Sequence, residues 1–281
     1  MATSLDFSQK TDLRLLGALV KLVDAAAAGI PFLIAGAMAR DLLLVYAHDI
    51  RSNRATRDVD LAFHVQNWNA FETLRKELLA GGEFVEIPGR GIHKLRFRRT
   101  LEVDILPFGG IERRDRSIVL PPDNAFQMSM FGFREALNST VTVVLPDDAR
   151  VQVVSLPALA VLKLSAWVER GGHEPGKDAY DLVFIIKNYA IASGERVYDA
   201  NPYLMGSPSD YESAGAWLLG KDMAQLLDEA GHERLAHSIA GETDQTGQLR
   251  LVGEMMRSDP ERALELLCAL EDGFMEEGNE Q

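Results

Sequence analysis

Within residues 11–29, Leu16, Leu19, Val20 and Val23 recur at helical spacing and predict an amphipathic first helix. Pro31 then opens a short apolar run, Phe32-Leu33-Ile34-Ala35, which ends at Gly36 and has the length and composition of a buried strand. A second helix is expected from Ala37 to about His48. Asp58–Phe63 alternates, with Val59, Leu61 and Phe63 on one face, so it reads as a strand. A helix from Trp68 to Ala80 follows, closed by Gly81-Gly82. Strands are expected near 83–88, 92–99 and 101–108, and 117–120, 141–145 and 151–154 are expected to complete a mixed sheet. The turn Pro146–Ala149 would join the last two as a hairpin. From Leu156 the pattern is helical to the end, with Pro157 and a Ser258/Glu261 capping box marking two helix starts. The tail after Gly273 reads as disordered. The pattern therefore predicts an α+β chain, a sheet-bearing first half followed by a helical second half.

Composition narrows the class without changing this outline. With 281 residues, 47% hydrophobic and 25% charged, the chain can bury a substantial core. A collagen-like fibre, a wholly disordered chain and a disulfide-rich module are excluded. Cys268 is the single cysteine and has no partner for an internal disulfide, which suits a reducing compartment. Residues 1–9 carry no basic cluster before an apolar core, and Pro31–Ala47 is short and broken by Arg40 and Asp41. The expected location is cytoplasmic, with no membrane partner. The net charge of −13 argues against a nucleic-acid coat, but it is unevenly spread. Residues 1–194 hold 23 Lys+Arg and 23 Asp+Glu, whereas residues 195–281 hold 6 and 19, the whole excess.

The candidate chemistry lies in the neutral part. Asp58 and Asp60 stand two apart on a strand, so their side chains share a face, and Asp104 lies on a later strand between Val103 and Ile105. Three carboxylates brought together repel unless a divalent cation sits between them, and magnesium suits such oxygen ligands and bridges to phosphates. Asp-x-Asp alone also occurs at solvated strand edges. Upstream, Gly36-Ala37-Met38-Ala39-Arg40-Asp41 forms a strand-to-helix junction, where outward backbone N–H groups and the helix dipole favour an anion. A plain chain reversal fits those residues too. Arg40 could meet phosphate or pair with a carboxylate, and so could Arg57.

Lys163 is the only charged residue between Leu156 and Val168, on a helix that is apolar nearly all round. An unpaired buried ammonium is costly, so Lys163 should face a carboxylate, a phosphate or a water-filled cleft, unless it snorkels outward. Asp178 could cap the next helix, and Asp181 could pair with Arg170.

A strand ending in Gly36-Ala37, a helix, Asp58-x-Asp60 and a third Asp104 resemble the DNA polymerase β nucleotidyltransferase superfamily. Gly36–Leu44 with Thr56–Leu61 looks like the head of the tRNA-nucleotidyltransferase and poly(A) polymerase group. Leu162–Arg170 and Lys177–Leu182 are similar to the downstream motif of AbiEii/AbiGii-type nucleotidyltransferase toxins. The resemblance covers roughly residues 30–190. Ala37 departs from the family's Gly or Ser, which removes a hydroxyl contact to phosphate, and the Gly36-to-Asp58 gap carries an inserted basic loop.

The resemblance implies a catalytic domain with a nucleotidyltransferase-type mixed sheet over 1–155. A helical domain would follow over 156–281, with 156–190 contributing to the active site and 195–281 acidic. It implies transfer of NMP from an NTP substrate to an acceptor hydroxyl with two magnesium ions. Asp58 and Asp60 would hold both ions, and Asp104 would complete the nucleophile-side set. Gly36, Ala37, Arg40, Arg57 and Lys163 would hold the triphosphate, and Asp178 would act with Lys163. Expected partners are a tRNA end or other nucleic-acid acceptor, suited to the eight Lys/Arg between Arg90 and Arg116, and an antitoxin protein. Two alternatives are a non-catalytic nucleotide-binding protein on the same scaffold and a transferase acting on a protein or small-molecule hydroxyl.

Overall fold

The alternation that begins at Asp58 becomes the long strand at the centre of a mixed sheet. The computed structural model describes residues 4–54, 56, 58–121, 126–170, 176–199, 201–205, 210–244 and 246–276. The chain divides into two units, Met1–Ser155 and Leu156–Gln281. The first contains β1 (Ser4–Asp6), α1 (Arg14–Ala27), β2 (Phe32–Ala35), α2 (Gly36–Arg40), β3 (Asp58–Val65) and α3 (Trp68–Ala80). It continues with β4 (Phe84–Glu86), β5 (Lys94–Phe97), β6 (Leu101–Gly109), β7 (Ser117–Leu120), β8 (Phe126–Ser129), α4 (Phe133–Asn138), β9 (Thr140–Leu145) and β10 (Ala149–Val154).

Eight strands form one sheet in the order β1-β9-β10-β2-β3-β6-β5-β4, with parallel pairs β1/β9, β10/β2 and β3/β6 and the rest antiparallel. Its central strands bury one face completely: Val59, Leu61, Phe63, Leu95, Phe97, Val103 and Ile105 are all inaccessible. Fully burying each such side chain contributes about 1.5–3 kcal/mol. That burial locks the register, because a slip by one residue would exchange these side chains with the charged ones on the other face. The Pro146 turn does join β9 and β10 as a hairpin.

Several expectations need correction. The strand over 117–120 does not join the main sheet; it pairs with β8 in a separate two-stranded ribbon. Ser117 is turned into that ribbon by Asp115, which accepts from both its N–H and its hydroxyl. The expected helix from Ala37 to His48 is helical to His48, but its middle, Asp41–Tyr46, widens into a π-helical turn between α-helical Gly36–Arg40 and Ala47–His48. The strands β1 and β8 and the helix α4 are too short to leave a periodic pattern in the sequence.

The second unit is helical: α5 (Leu156–Arg170), α6 (Lys177–Ser193), α7 (Tyr211–Ala224), α8 (Glu229–Thr243), α9 (Arg250–Met255) and α10 (Pro260–Phe274). Leu159, Leu164, Ile185, Ile186, Leu219, Leu266 and Phe274 form its core. At Gly220 on α7 a Cβ would run into the Leu270 carbonyl of α10, so glycine sets how closely those helices approach. The start of α10 is capped by the Asp259 side chain, which accepts from Arg262 N–H, with Pro260 in the first turn. Asp259 thus takes the place expected for Ser258, because Pro260 fixes the first helical position directly after it. Against the expectation of disorder after Gly273, α10 includes Phe274 and 275–276 follow it, while 277–281 lie outside the described residues. No helix among the described residues is long and apolar enough to cross a membrane.

Candidate active site

The parallel register of β3 and β6 sets Asp60 beside Asp104 and Asp58 beside Glu102. The antiparallel register of β5 and β6 sets Lys94 beside Asp104 and Arg96 beside Glu102. Laterally paired residues point to the same side of a sheet. Two charged rows therefore cross the half-exposed face, Asp60–Asp104–Lys94 and Asp58–Glu102–Arg96. The three aspartates singled out from the sequence do share one face of two adjacent strands, β3 and β6.

Asp104 already has a cation. Lys94 Nζ donates to Asp104 Oδ2 across the hairpin, and Arg96 Nη2 meets Glu102 Oε1 at 2.9 Å. In the sequence Lys94 is one of the eight basic residues between Arg90 and Arg116. The signal for the pairing was there, since Lys94 and Asp104 are equidistant from Arg99, as are Arg96 and Glu102. His93 precedes Lys94 and is buried; burial holds its imidazole below the usual value, against the pull of the Asp104 carboxylate, and Lys94 adds to the lowering.

The junction between β2 and α2 packs directly on this face. Ala35 is the register partner of Asp60, and Gly36 follows with φ +64°. A Cβ at Gly36 would overlap the Asp60 carboxylate, so glycine is required for both its backbone angle and its closeness to that group. Ala37 is buried. Arg40 is 0% exposed, with Nε at 2.9 Å and Nη2 at 2.6 Å from Asp41 Oδ1. Thr56 Oγ1 donates to the other Asp41 oxygen. Of the two readings open for Arg40, the carboxylate pair is the one observed. A direct phosphate contact by Arg40 does not fit a fully buried guanidinium. Arg57 lies outside the described residues.

In the helical unit, Lys163 Nζ lies 2.5 Å from Asp181 Oδ2 and 3.2 Å from Asp178 Oδ1, with side-chain exposures of 9%, 0% and 5%. The lysine faces carboxylates and does not snorkel. Arg170 Nη1 is 3.3 Å from Asp178 Oδ2, so Arg170 also meets this cluster. Asp178 is not the cap of α6: Gly176 occupies that position, and Asp178 lies inside the first turn. One contributor had no sequence signal. Glu254 Oε2 accepts from Trp167 Nε1 at 2.9 Å and Gly176 N–H at 3.1 Å, and Arg250 lies over the Trp167 ring at 4.2 Å. It ties the end of α5 to the start of α6 from far along the chain.

Four of the eight basic residues between Arg90 and Arg116 are held in ion pairs. Besides Lys94 and Arg96, Arg98 pairs with Glu83 and Arg116 with Glu112 and Glu135. Arg90, Arg99, Arg113 and Arg114 are exposed.

An all-carboxylate donor set suits a hard divalent cation. Among the described residues, no three His, Cys, Asp or Glu side chains are gathered closely enough to form a ready cage. Magnesium seldom uses such a cage, taking one or two carboxylates together with waters and substrate phosphates. Asp58 and Asp60 fit that mode.

Among curated proteins, no sequence relative matches this chain. Solved structures give distant likenesses. An antigenic nucleotidyltransferase-like protein from Paracoccidioides brasiliensis aligns at a TM-score of 0.41 and 19% identity, over 64% of this chain and 77% of that one. ANT(2")-Ia in complex with adenylyl-2"-tobramycin aligns at 0.35 and 16% identity, over 64% of this chain and 91% of that one. The decisive match is a family model described as nucleotidyl transferase AbiEii toxin, Type IV TA system, which spans residues 18–248 and so includes both charged clusters. The chain belongs to the AbiEii nucleotidyltransferase toxin family, and is a transferase enzyme of that type.

Proposed function

We propose that this chain moves NMP from an NTP to the terminal hydroxyl of a tRNA, in a magnesium-dependent reaction, as the toxin of a toxin–antitoxin pair. The observation that carries the reading is the placing of Asp58, Asp60 and Asp104 on one sheet face against the Gly36 turn. Asp58 and Asp60 are the ligands for two magnesium ions, and Asp104 completes the set on the acceptor side. Bound there, the ions would polarise the α-phosphate and lower the pKa of the acceptor hydroxyl. Gly36 and Ala37 offer backbone donors to the triphosphate, and Gly36 lets that backbone come close to the reacting groups. Arg57 is assigned a phosphate contact beside Asp58. Arg40, through Asp41 and Thr56, braces the turn from behind.

Lys163 and Asp178 are assigned to the same reaction from the helical unit. The support is the family resemblance together with the burial of an ammonium between two carboxylates, a costly arrangement for a purely structural helix. A nucleic-acid acceptor is supported by the charge distribution: the acidity lies in residues 195–281, and Arg90, Arg99, Arg113 and Arg114 stand exposed in the sheet unit. The acidic helical region offers a surface to a basic antitoxin.

The test is incubation with each of four labelled NTPs, magnesium and total tRNA. Labelled tRNA is expected from the wild-type protein. Asp60→Ala should abolish labelling while leaving the circular dichroism spectrum unchanged. Full activity in that variant refutes the assignment. Label that appears on protein or on a small molecule instead overturns the choice of acceptor.

A further inference from the structure

The nucleotidyl-transfer reading asks Asp104 to bind a metal ion, yet its carboxylate is already engaged by Lys94. The pair is a consequence of the fold. Residues 98–100 turn the β5–β6 hairpin, with Arg98 and Arg99 both at positive φ, and the resulting register sets Lys94 directly opposite Asp104. The side chains are 27% and 14% exposed, so water screens them only in part. Two cations cannot share one carboxylate oxygen at contact distance without strong repulsion.

The charge of the two rows makes the same point. Asp58, Asp60, Glu102 and Asp104 face Lys94 and Arg96, which leaves an excess of two negative charges across the three strands. One divalent cation neutralises that excess. A second needs more negative charge, brought by the nucleotide triphosphate, or the departure of a positive one. Lys94 is suited to leave: its stem is flexible and its ammonium has a path to solvent.

Resting on the nucleotidyltransferase reading, we propose that Lys94 is a built-in counter-ion for Asp104 that competes with the second divalent cation, which binds only as the ammonium withdraws. Lys94 is then a positioning residue. It holds the Asp104 carboxylate in place while the site is empty and delays loading of the second ion until nucleotide arrives. The hairpin encodes this control in a single side chain.

The experiment is a Mn2+ titration of the full, nucleotide-free chain, followed through the paramagnetic resonance signal of the free ion. Circular dichroism and thermal melting check that each variant folds. Lys94→Met should tighten the weaker class of Mn2+ site by about tenfold, the effect of removing one adjacent cation from a half-screened carboxylate. Lys94→Arg, which keeps a cation opposite Asp104, should stay close to wild type. In Lys94→Met/Asp104→Asn the gain should disappear, because the ligand it depends on is gone. Identical Mn2+ number and affinity in Lys94→Met and wild type, with binding that Asp60→Asn still abolishes, overturns the proposal and leaves the transferase reading standing. Mn2+ binding that is absent in every variant, or indifferent to Asp60→Asn, overturns both.

Discussion

Gly36→Ala puts the turn against the carboxylates to a direct test. Gly36 has φ +64°, and a left-handed angle costs a residue with a Cβ about 1–2 kcal/mol. The new methyl would also occupy the space of the Asp60 carboxylate, forcing that side chain off its rotamer for about 0.5–1.5 kcal/mol more. The sheet unit should therefore lose about 1.5–3.5 kcal/mol, a loss it can survive if its stability is ordinary. Function should suffer far more than the fold, because Asp60 and the backbone at Gly36 are displaced together. The assays are urea denaturation, Mn2+ affinity and NMP transfer on the same preparation. A folded Gly36→Ala protein with transfer and Mn2+ affinity near wild type would show that Asp60 is not held at the reacting centre by this turn.

Three further variants address the helical unit. Lys163→Met strips the cation from Asp178 and Asp181, leaving buried carboxylates with a lost partner, and should destabilise that unit by about 3–5 kcal/mol in urea. Adding Asp181→Asn to it should recover part of the loss, and failure of the double variant to do so would deny the pairing. Asp210 caps α7 through Ser213 N–H at 3.0 Å and takes both Arg262 nitrogens at 2.6 and 2.9 Å. The Arg262 guanidinium, helped by Ser213, holds its carboxyl well below the usual carboxylate range. A lowered folded-state value means the stabilisation is present above about pH 4 and fades as pH falls below it. Asp210→Ala should lose about 1 kcal/mol at pH 7 as the cap goes and should flatten the acid limb of stability against pH; an unchanged acid limb would refute this.

What could be read in the chain depended on how locally each feature is encoded. The alternation of Val59, Leu61 and Phe63 and the helical spacing of Leu16, Leu19, Val20 and Val23 announce their own elements, because one buried face leaves a periodic trace. Asp58, Asp60 and Asp104 stood out because charge on a predicted strand breaks that trace, and Lys163 stood out on its apolar helix for the same reason. The π-helical turn at Asp41–Tyr46, the three-residue strand β1 and the ribbon of β7 with β8 leave too little pattern to be seen.

The sequence by itself determined which residues carry unusual charge, which faces are apolar, and that the acidity belongs to the second half. Tertiary structure alone decided the partners. The lateral order β2-β3-β6-β5 put Asp60, Asp104 and Lys94 in one row, and in the helical unit the packing of α5 on α6 set Lys163 between Asp178 and Asp181. Glu254 reaches Trp167 only because α9 folds back from a distant part of the chain. Burial preference is a property of one side chain and its neighbours in sequence, so a single chain can display it. An ion pair is a property of two positions and a register, and the register exists only once the buried faces have packed.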